Sequence, residues 1–316
     1  MIYIIGNARS GTSWLGKIFD SHPGVVYRHE PDASHPSYDF PFFIEDDEYE
    51  KYRAIASDYL QQLCLVRTSR AVGRRPQFHK EFSGLAGRIL RSSTLWLLLL
   101  AGRIPIVGNA TNKLNVPDFI GPGHKPKYVI KSVISLGRAG LYARALTNGR
   151  VVFMMRHPCG VVASQLRGVR LGKLEQSKPL NTISKSRLGR QYGLTLAGLE
   201  SLTEEEQLAW IWVIMNEQAL TGLRDQSNAT VITHEALCSN PVQEIKRLFE
   251  FCRLPWNSQT EEFLSPIQSF SRNPSYYDVK RNPALELDKW KRELAPDVVK
   301  RIEAVLMASP LHDYFR

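Results

Sequence analysis

Short apolar runs alternate along the chain with longer stretches of helical periodicity. Four runs have the β-branched, uninterrupted character of strands buried on both faces, and they comprise residues 2–5, 128–133, 151–155 and 229–232. Apolar residues recur at helical spacing after the first two runs and before the fourth, in residues 12–19, 136–146 and 203–226. This alternation predicts an α/β protein, with a parallel sheet covered by helices on both faces.

Residues 32–124 differ from the rest of the chain in amino-acid composition and charge. They open with prolines, aromatic residues and acids, and between residues 67 and 91 they contain seven Lys or Arg against Glu81 alone. An apolar helix is expected around residues 95–100. Because the chain has 316 residues, of which 43% are hydrophobic, it can bury one large core. We therefore predict a single domain, 1–316, within which residues 32–124 form a segment of distinct composition.

The junction of the first strand and the first helix predicts a phosphate-binding loop. Gly6 and Gly11 bracket a tight loop, and the helix opens at Thr12 or Ser13. In this geometry backbone N–H groups and the helix dipole converge on an anion. The glycine spacing is that of the Walker A pattern, but Thr12 stands where that pattern requires Lys. The basic residue lies instead within the loop, as Arg9.

A second phosphate clamp is predicted after the strand at 151–155. Arg156 ends this strand, and Pro158 suits the first turn of a helix that contains Ser164. A guanidinium and a hydroxyl group can grip a terminal phosphate through charge-assisted hydrogen bonds. Two phosphate clamps in one chain indicate a bisphosphorylated nucleotide.

The two motifs resemble those of sulfotransferases that use 3′-phosphoadenosine-5′-phosphosulfate (PAPS). Residues 9–19 are similar to the 5′-phosphosulfate motif, and together with Glu30 and Pro31 they look most like the carbohydrate-sulfotransferase branch. Arg156, Pro158 and Ser164 match the 3′-phosphate motif, in which His157 replaces the usual Asp or Asn.

Later segments also resemble the family, namely residues 233–241, 251–256 and 290–294. In the first of these, His234 replaces the usual Tyr and Ala236 the usual acid. The resemblance covers 1–31 and 125–310 and ends at the segment between them.

The resemblance implies a sulfotransferase fold, in which a mostly helical acceptor-binding region is inserted at 32–124. It also implies sulfuryl transfer from PAPS to a hydroxyl group, with adenosine 3′,5′-bisphosphate as product and no metal ion. The residues implied in nucleotide binding are Arg9, Ser10, Gly11, Thr12, Ser13, Trp14, Arg156 and Ser164.

Three residues are candidates for the chemistry. Glu30 aligns with the family's Glu before Pro and is the candidate base, with His29 as its rival because the pKa of histidine suits proton transfer near neutral pH. Lys131, at a strand end, is the candidate cation for the bridging oxygen. We expect Pro31 to hold Glu30 extended. Adjacent side chains of an extended segment point to opposite sides, so His29 and Glu30 should not share one acceptor hydroxyl.

The net charge of the chain is compatible with more than one class of binding partner. The 41 Lys and Arg against 31 Asp and Glu give a net charge of +10, which suits a polyanion and equally suits nucleic acid. No zinc-binding spacing, RNA-binding aromatic motif or basic tail is present, so we expect no nucleic-acid partner. Lys280 and Arg281 offer further positive charge without an assigned role.

The function therefore has alternatives from other classes, a P-loop nucleotide kinase and a non-catalytic polyanion-binding protein. The expected acceptor is a saccharide or another small molecule, while a lipid-linked or natural-product alcohol stays open.

The sequence also bears on location. Cysteines at 64, 159, 238 and 252 show no C-x-x-C pairing and are expected to be reduced thiols. A strand begins directly after Met1, where a signal peptide would otherwise lie. The longest apolar run, residues 96–101, is too short to cross a bilayer. A cytoplasmic enzyme is the expectation.

Overall fold

The computed structural model describes residues 1–36, 39–73, 75–101, 114–174, 178–265 and 282–315, the side chains at positions 88 and 99 excepted. Within these residues one sheet is formed by β1 (Ile2–Gly6), β2 (Val25–His29), β3 (Lys127–Ser132), β4 (Arg150–Met155) and β5 (Ala229–Thr233). The strand order is β2-β3-β1-β4-β5, and every neighbouring pair is parallel. The prediction of a parallel α/β sheet is confirmed, and β2 joins it as an edge strand that the apolar pattern did not single out.

Helices precede, connect and cover the strands. Those described are α1 (Thr12–Ser21), α2 (Tyr49–Leu65), α3 (Ser69–Val72), α4 (Leu85–Ala101), α5 (Ala139–Ala145), α6 (Pro158–Arg170), α7 (Leu180–Lys185), α8 (Arg187–Gln191), α9 (Leu196–Ser201), α10 (Glu204–Leu223), α11 (His234–Ser239), α12 (Pro241–Phe251), α13 (Ser258–Leu264), α14 (Pro283–Leu287), α15 (Lys289–Glu293) and α16 (Pro296–Met307). Short 3-10 helices occur at Pro31–Ala33, Asp46–Glu48, Leu136–Arg138 and Pro310–Phe315. In the described part of the chain, no helix has both the length and the apolar character needed to cross a membrane.

Three of these helices test the sequence analysis directly. The helix expected at 203–226 is α10, which begins with a capping box between Thr203 and Glu206. The helix expected at 136–146 divides into the 3-10 turn and α5. The apolar helix around 95–100 extends back to Leu85.

Alternate residues of β1 build the two sides of the core. Ile2 and Ile4 pack with apolar residues of α1, α12 and α13, whereas Tyr3 and Ile5 pack with those of α2, α5 and α10. The helix that follows β1, α1, therefore covers one face of the sheet. The helix that follows the adjacent strand β3, α5, covers the opposite face. In open α/β sheets, ligands bind at such a reversal, beyond the carboxyl ends of the strands.

A buried ion pair attaches the insertion to edge strand β2. Arg28 is 0% exposed, and its guanidinium lies 2.5 Å from an Asp118 carboxylate oxygen. It also donates a hydrogen bond to the carbonyl of Cys64, at the end of α2. Two of the seven basic residues between positions 67 and 91, Lys80 and Arg91, pair with Asp20 and Asp118.

Asp118→Ala should lower the free energy of unfolding by about 3–5 kcal/mol, because it leaves the Arg28 guanidinium buried without its carboxylate. Urea denaturation measures this change. The matched control is Asp297→Ala, which removes an exposed partner of Arg301 and should change stability little. Equal effects of the two substitutions would contradict the role given to the buried pair.

Candidate active site

The candidate residues gather at the carboxyl edge of the sheet. Arg9 and Ser10 follow β1, Glu30 follows β2, Lys131 lies near the end of β3, and Arg156 follows β4. Because parallel strands end at the same edge, residues far apart in sequence meet here. Arg156, for example, donates a hydrogen bond of 3.2 Å to the carbonyl of Arg9.

The loop after β1 has the form predicted for an anion site. Gly11 caps α1 in a left-handed conformation with φ 97°, and no side chain occupies the cap. The first turn of α1 contains no Asp or Glu, so no carboxylate of its own competes for the N–H groups at the helix start. A Cβ at Gly6 would lie 2.4 Å from the Met154 carbonyl oxygen, and one at Gly11 would lie 2.6 Å from Cδ2 of His234. Both positions therefore require glycine.

Two polar atoms of this loop region are buried without a hydrogen-bond partner in the described chain. They are Oγ of Ser10 and Nε1 of Trp14. Buried polar groups in folded proteins are nearly always satisfied, so these atoms fit a bound group that carries hydrogen-bond acceptors. The helix start and these two donors together suit a phosphate or sulfate.

The two phosphate motifs form one connected cluster. Nε of Arg9 donates a hydrogen bond of 3.0 Å to Oγ of Ser164, and Arg156 donates to the carbonyls of Arg9 and Glu286. Arg156 and Ser164 are 8% and 3% exposed. The sequence predicts two separate clamps, whereas the tertiary structure places Arg9 against Ser164 of the second motif.

His157 caps the N-terminus of α6. Its Nδ1 accepts a hydrogen bond of 3.3 Å from the backbone N–H of Cys159, at the start of α6. The ring stacks on Trp290, with centroids 4.9 Å apart and planes 3° from parallel. Burial, with smaller effects of Lys291 and Arg156, lowers the pKa of His157 to about 4. The ring is therefore neutral at pH 7.

A second cluster surrounds the candidate base. Nζ of Lys131 donates to Oε1 of Glu30, and Nε2 of His29 lies 3.8 Å from the same oxygen. The second carboxylate oxygen of Glu30, Oε2, lies 3.9 Å from Nη2 of Arg70 in α3. The Tyr27 hydroxyl is hydrogen-bonded to Nδ1 of His29 at 3.1 Å.

The expectation of an extended backbone at Glu30 is wrong. Glu30 has φ 48° and ψ 51°, because β2 ends at His29 and the chain turns there into the 3-10 helix that starts at Pro31. Its N–H still donates to the carbonyl of Lys131 at 2.7 Å. A left-handed residue breaks the alternation of a strand, and the His29 and Glu30 side chains consequently converge rather than diverge.

Sequence reasoning missed a polar network beneath this cluster. Asp32 accepts hydrogen bonds from Ser132 and Ser135, and Ser135 is hydrogen-bonded to the Tyr3 hydroxyl at 2.9 Å. Burial raises the pKa of Asp32. Proximity in sequence to Glu30 and Lys131 was the available signal for Asp32 and Ser132. Arg70 belongs to the basic stretch between residues 67 and 91, whereas nothing in the sequence pattern indicated Ser135.

Three further points of the sequence analysis concern residues outside the two clusters. Lys280 and Arg281 fall outside the described residues. Among the residues that are described, no group of three or more His, Cys, Asp or Glu side chains could hold a metal ion. The four cysteines, all described, are buried and form no disulfide.

The structure is that of an α/β protein in which a glycine loop, the N-terminus of α1 and a cluster of Arg9, Arg156 and Ser164 meet at one sheet edge. A model of the sulfotransferase family matches residues 2–258, and the chain belongs to this family.

Individual relatives are distant. Carbohydrate sulfotransferase 2 of Mus musculus and that of Homo sapiens are each 22% identical over 332 aligned positions, which cover 96% of this chain and 62% of the relative. The chain thus spans less than two thirds of their length.

Solved structures similar to the chain include the sulfotransferase domain of the Synechococcus PCC 7002 olefin synthase, with a TM-score of 0.47, 15% identity, and coverage of 97% of this chain and 94% of that one. Mouse sulfotransferase SULT7A1 complexed with PAP has a TM-score of 0.46 and 11% identity, over 97% of this chain and 82% of that one.

His157→Asn should reduce the loss of stability on acidification. The wild-type ring, with a pKa of about 4 in the folded state, resists protonation, whereas the unfolded ring takes up a proton near pH 6.5. Stability therefore falls as pH drops below 6.5, by about 2 kcal/mol between pH 7.5 and 5 at one pKa unit per 1.36 kcal/mol.

Asn can still accept the helix-capping hydrogen bond but does not titrate. Urea denaturation of wild type and variant at pH 7.5 and pH 5 gives the difference. Parallel pH dependence in both proteins would show that His157 is protonated as readily in the folded chain as in the unfolded one.

Proposed function

We propose that the chain transfers a sulfuryl group from PAPS to a hydroxyl group of its acceptor and releases adenosine 3′,5′-bisphosphate. The observation that carries this proposal is the meeting of three groups at one sheet edge: the anion loop at Gly11, the clamp of Arg9, Arg156 and Ser164, and the pair of Glu30 and Lys131. Membership of the sulfotransferase family supports the same reaction class.

The donor would occupy both phosphate sites. The N-terminus of α1, with the unpartnered Ser10 hydroxyl and Trp14 N–H, suits the 5′-phosphosulfate, because it offers donors and a positive dipole end. Arg156 and Ser164 suit the 3′-phosphate, and their contact with Arg9 would link the two sites.

The chemistry would follow from groups already placed. Glu30 would accept the proton of the acceptor hydroxyl. As the proton leaves, the acceptor oxygen would bond to sulfur, and the bond between sulfur and the 5′-phosphate oxygen would break. Lys131, adjacent to Glu30, would stabilise the negative charge on the departing oxygen. Positioning and charge stabilisation dominate the related transfer of phosphoryl groups.

The insertion at 32–124 would recognise the acceptor. Its residue Arg70 reaches Glu30 from α3, and half of the Arg70 side chain, 51%, is exposed. A saccharide is the acceptor that the Glu-Pro motif favours, and the curated relatives are carbohydrate sulfotransferases by name. A small-molecule, natural-product or lipid-linked alcohol is the alternative.

A P-loop nucleotide kinase is the second candidate function, supported by the glycine spacing of the loop. Thr12 in place of the Walker Lys argues against it. A thermal-shift panel of adenosine 3′,5′-bisphosphate, ATP with magnesium, and an oligosaccharide separates sulfotransferase, kinase and polyanion-binding protein.

Turnover with PAPS should persist in EDTA.

Adenosine 3′,5′-bisphosphate should bind at least about tenfold more tightly than AMP, and Arg156→Ala should remove this preference. A lost charge-assisted hydrogen bond costs about 1.5–3 kcal/mol, or tenfold and more in affinity. Isothermal titration calorimetry with both nucleotides measures it.

The control for this measurement is Arg167→Ala on the same helix, α6, since Arg167 pairs with Glu293. Its melting temperature without nucleotide, compared with that of Arg156→Ala, separates binding from folding. Wild-type protein that binds AMP and the bisphosphate equally would rule out the 3′-phosphate assignment.

Glu30→Gln should lower kcat by about 10²-fold or more, the size expected when a general base is lost, with bisphosphate affinity nearly unchanged. His29→Ala should cost much less. Because both side chains reach the same region, only the comparison of their rates assigns the base.

Steady-state assays with PAPS, and calorimetry with the bisphosphate, provide the two readouts. Were His29→Ala the more damaging substitution, His29 would be the base and Glu30 a partner of Lys131.

A further inference from the structure

Helix α4 presents an unusual surface. Among the side chains described on this helix, six large apolar ones are exposed, with exposed fractions between 39% and 66%: Leu85, Ile89, Leu90, Trp96, Leu97 and Leu100. At 100° per residue these six positions lie within an arc of about 140° on the helix. Single exposed apolar residues are ordinary, but a contiguous group marks an interaction surface. We call these six residues the α4 face.

The opposite side of the helix shows how α4 is attached. Leu95 is 5% exposed and packs with Ala71, Val72 and Val116. Arg91 is directed toward Asp118, 3.3 Å away. The helix is therefore held to the protein by one side, and the α4 face points away from the core.

The size of the α4 face favours a lipid surface over a second copy of the chain. A helix of 17 residues is about 25 Å long and, over this arc, about 13 Å wide, which gives roughly 300 Å². A stable protein–protein interface needs about 800 Å² from each partner. A bilayer surface requires no complementary shape, and helices with one apolar face bind there with that face among the acyl chains.

Charge near the helix favours anionic lipid. Between Phe82 and Pro117 the sequence contains no Asp or Glu, and the whole chain has a net charge of +10. The same stretch contains four Lys or Arg, at positions 88, 91, 103 and 113. The nearest exposed carboxylate in sequence is Glu81. An apolar face with positive charge beside it supplies the two signals that peripheral membrane binding needs.

We propose that the α4 face docks the protein on an anionic membrane surface, with α4 lying in the interface rather than crossing it. The proposal rests on the exposed residues of α4 and is independent of the reaction proposed above.

Cosedimentation of the full chain with lipid vesicles tests the docking. Vesicles of phosphatidylcholine with roughly 30% phosphatidylserine should bind the wild type, and pure phosphatidylcholine should bind it less tightly. The double substitution Trp96→Ser and Leu97→Ser should lower the partition coefficient at least about tenfold. The matched control is Leu171→Ser, since Leu171 is 54% exposed but lies beyond the end of α6; it should bind as the wild type does.

Three outcomes would overturn the proposal. The first is no vesicle binding by the wild type, as expected if another segment of this chain covers the face. The second is equal binding by the wild type and the double variant. The third is a wild-type dimer in sedimentation velocity that the double variant abolishes, which would make the α4 face a contact between copies. Circular dichroism of each variant confirms that a loss of binding is not a loss of fold.

Discussion

The tight fit of β1 between β3 and β4 is the constraint on which the site depends. Gly6 ends β1 so close to β4 that a methyl group there would meet the Met154 carbonyl. The chain must then turn at once, through left-handed Arg9 and Gly11, before α1 begins. This turn leaves the N-terminus of α1 uncapped at the carboxyl edge, where the other strands deliver their own charged residues. Backbone packing thus leaves a helix start whose N–H groups can accept an anion, and the proposed site is built on it.

The cations of the site are held in place by other groups of the protein. Lys131 lies against Glu30, and Arg156 is braced by the carbonyls of Arg9 and Glu286. Such bracing restricts the rotamers of long basic side chains and so reduces the entropy lost when an anion binds. The Asp32 network adds support from below, because it ties the turn after β2 to the end of β3 through Ser132. We regard this arrangement as preorganised, because the cations need not be reoriented when negative charge develops near them.

Two histidines stand where the family usually has other residues, and packing explains how both are accommodated. His157 caps α6 through Nδ1 and is kept neutral by burial against Trp290. His234 follows β5 and places its ring edge against Gly11, with the Trp14 ring 6.5 Å away. In each case an aromatic ring fills space beside the nucleotide motifs. Arg156 and the glycine loop lie at the sheet edge with both histidines in place.

The parallel α/β sheet, the glycine loop, the start of α1 and the family could be predicted before the structure was known. Buried strands and tight turns produce patterns over a few consecutive residues, and these patterns can be recognised without knowing any long-range contact. Tertiary structure decided what those patterns cannot encode. The left-handed conformation of Glu30 arises where β2 ends, and it brings His29 and Glu30 together. Arg9 reaches Ser164, and Arg70 approaches Glu30, only because β-strand order and the insertion place them there. Side-chain convergence depends on contacts between residues far apart in sequence, and no local periodicity records it.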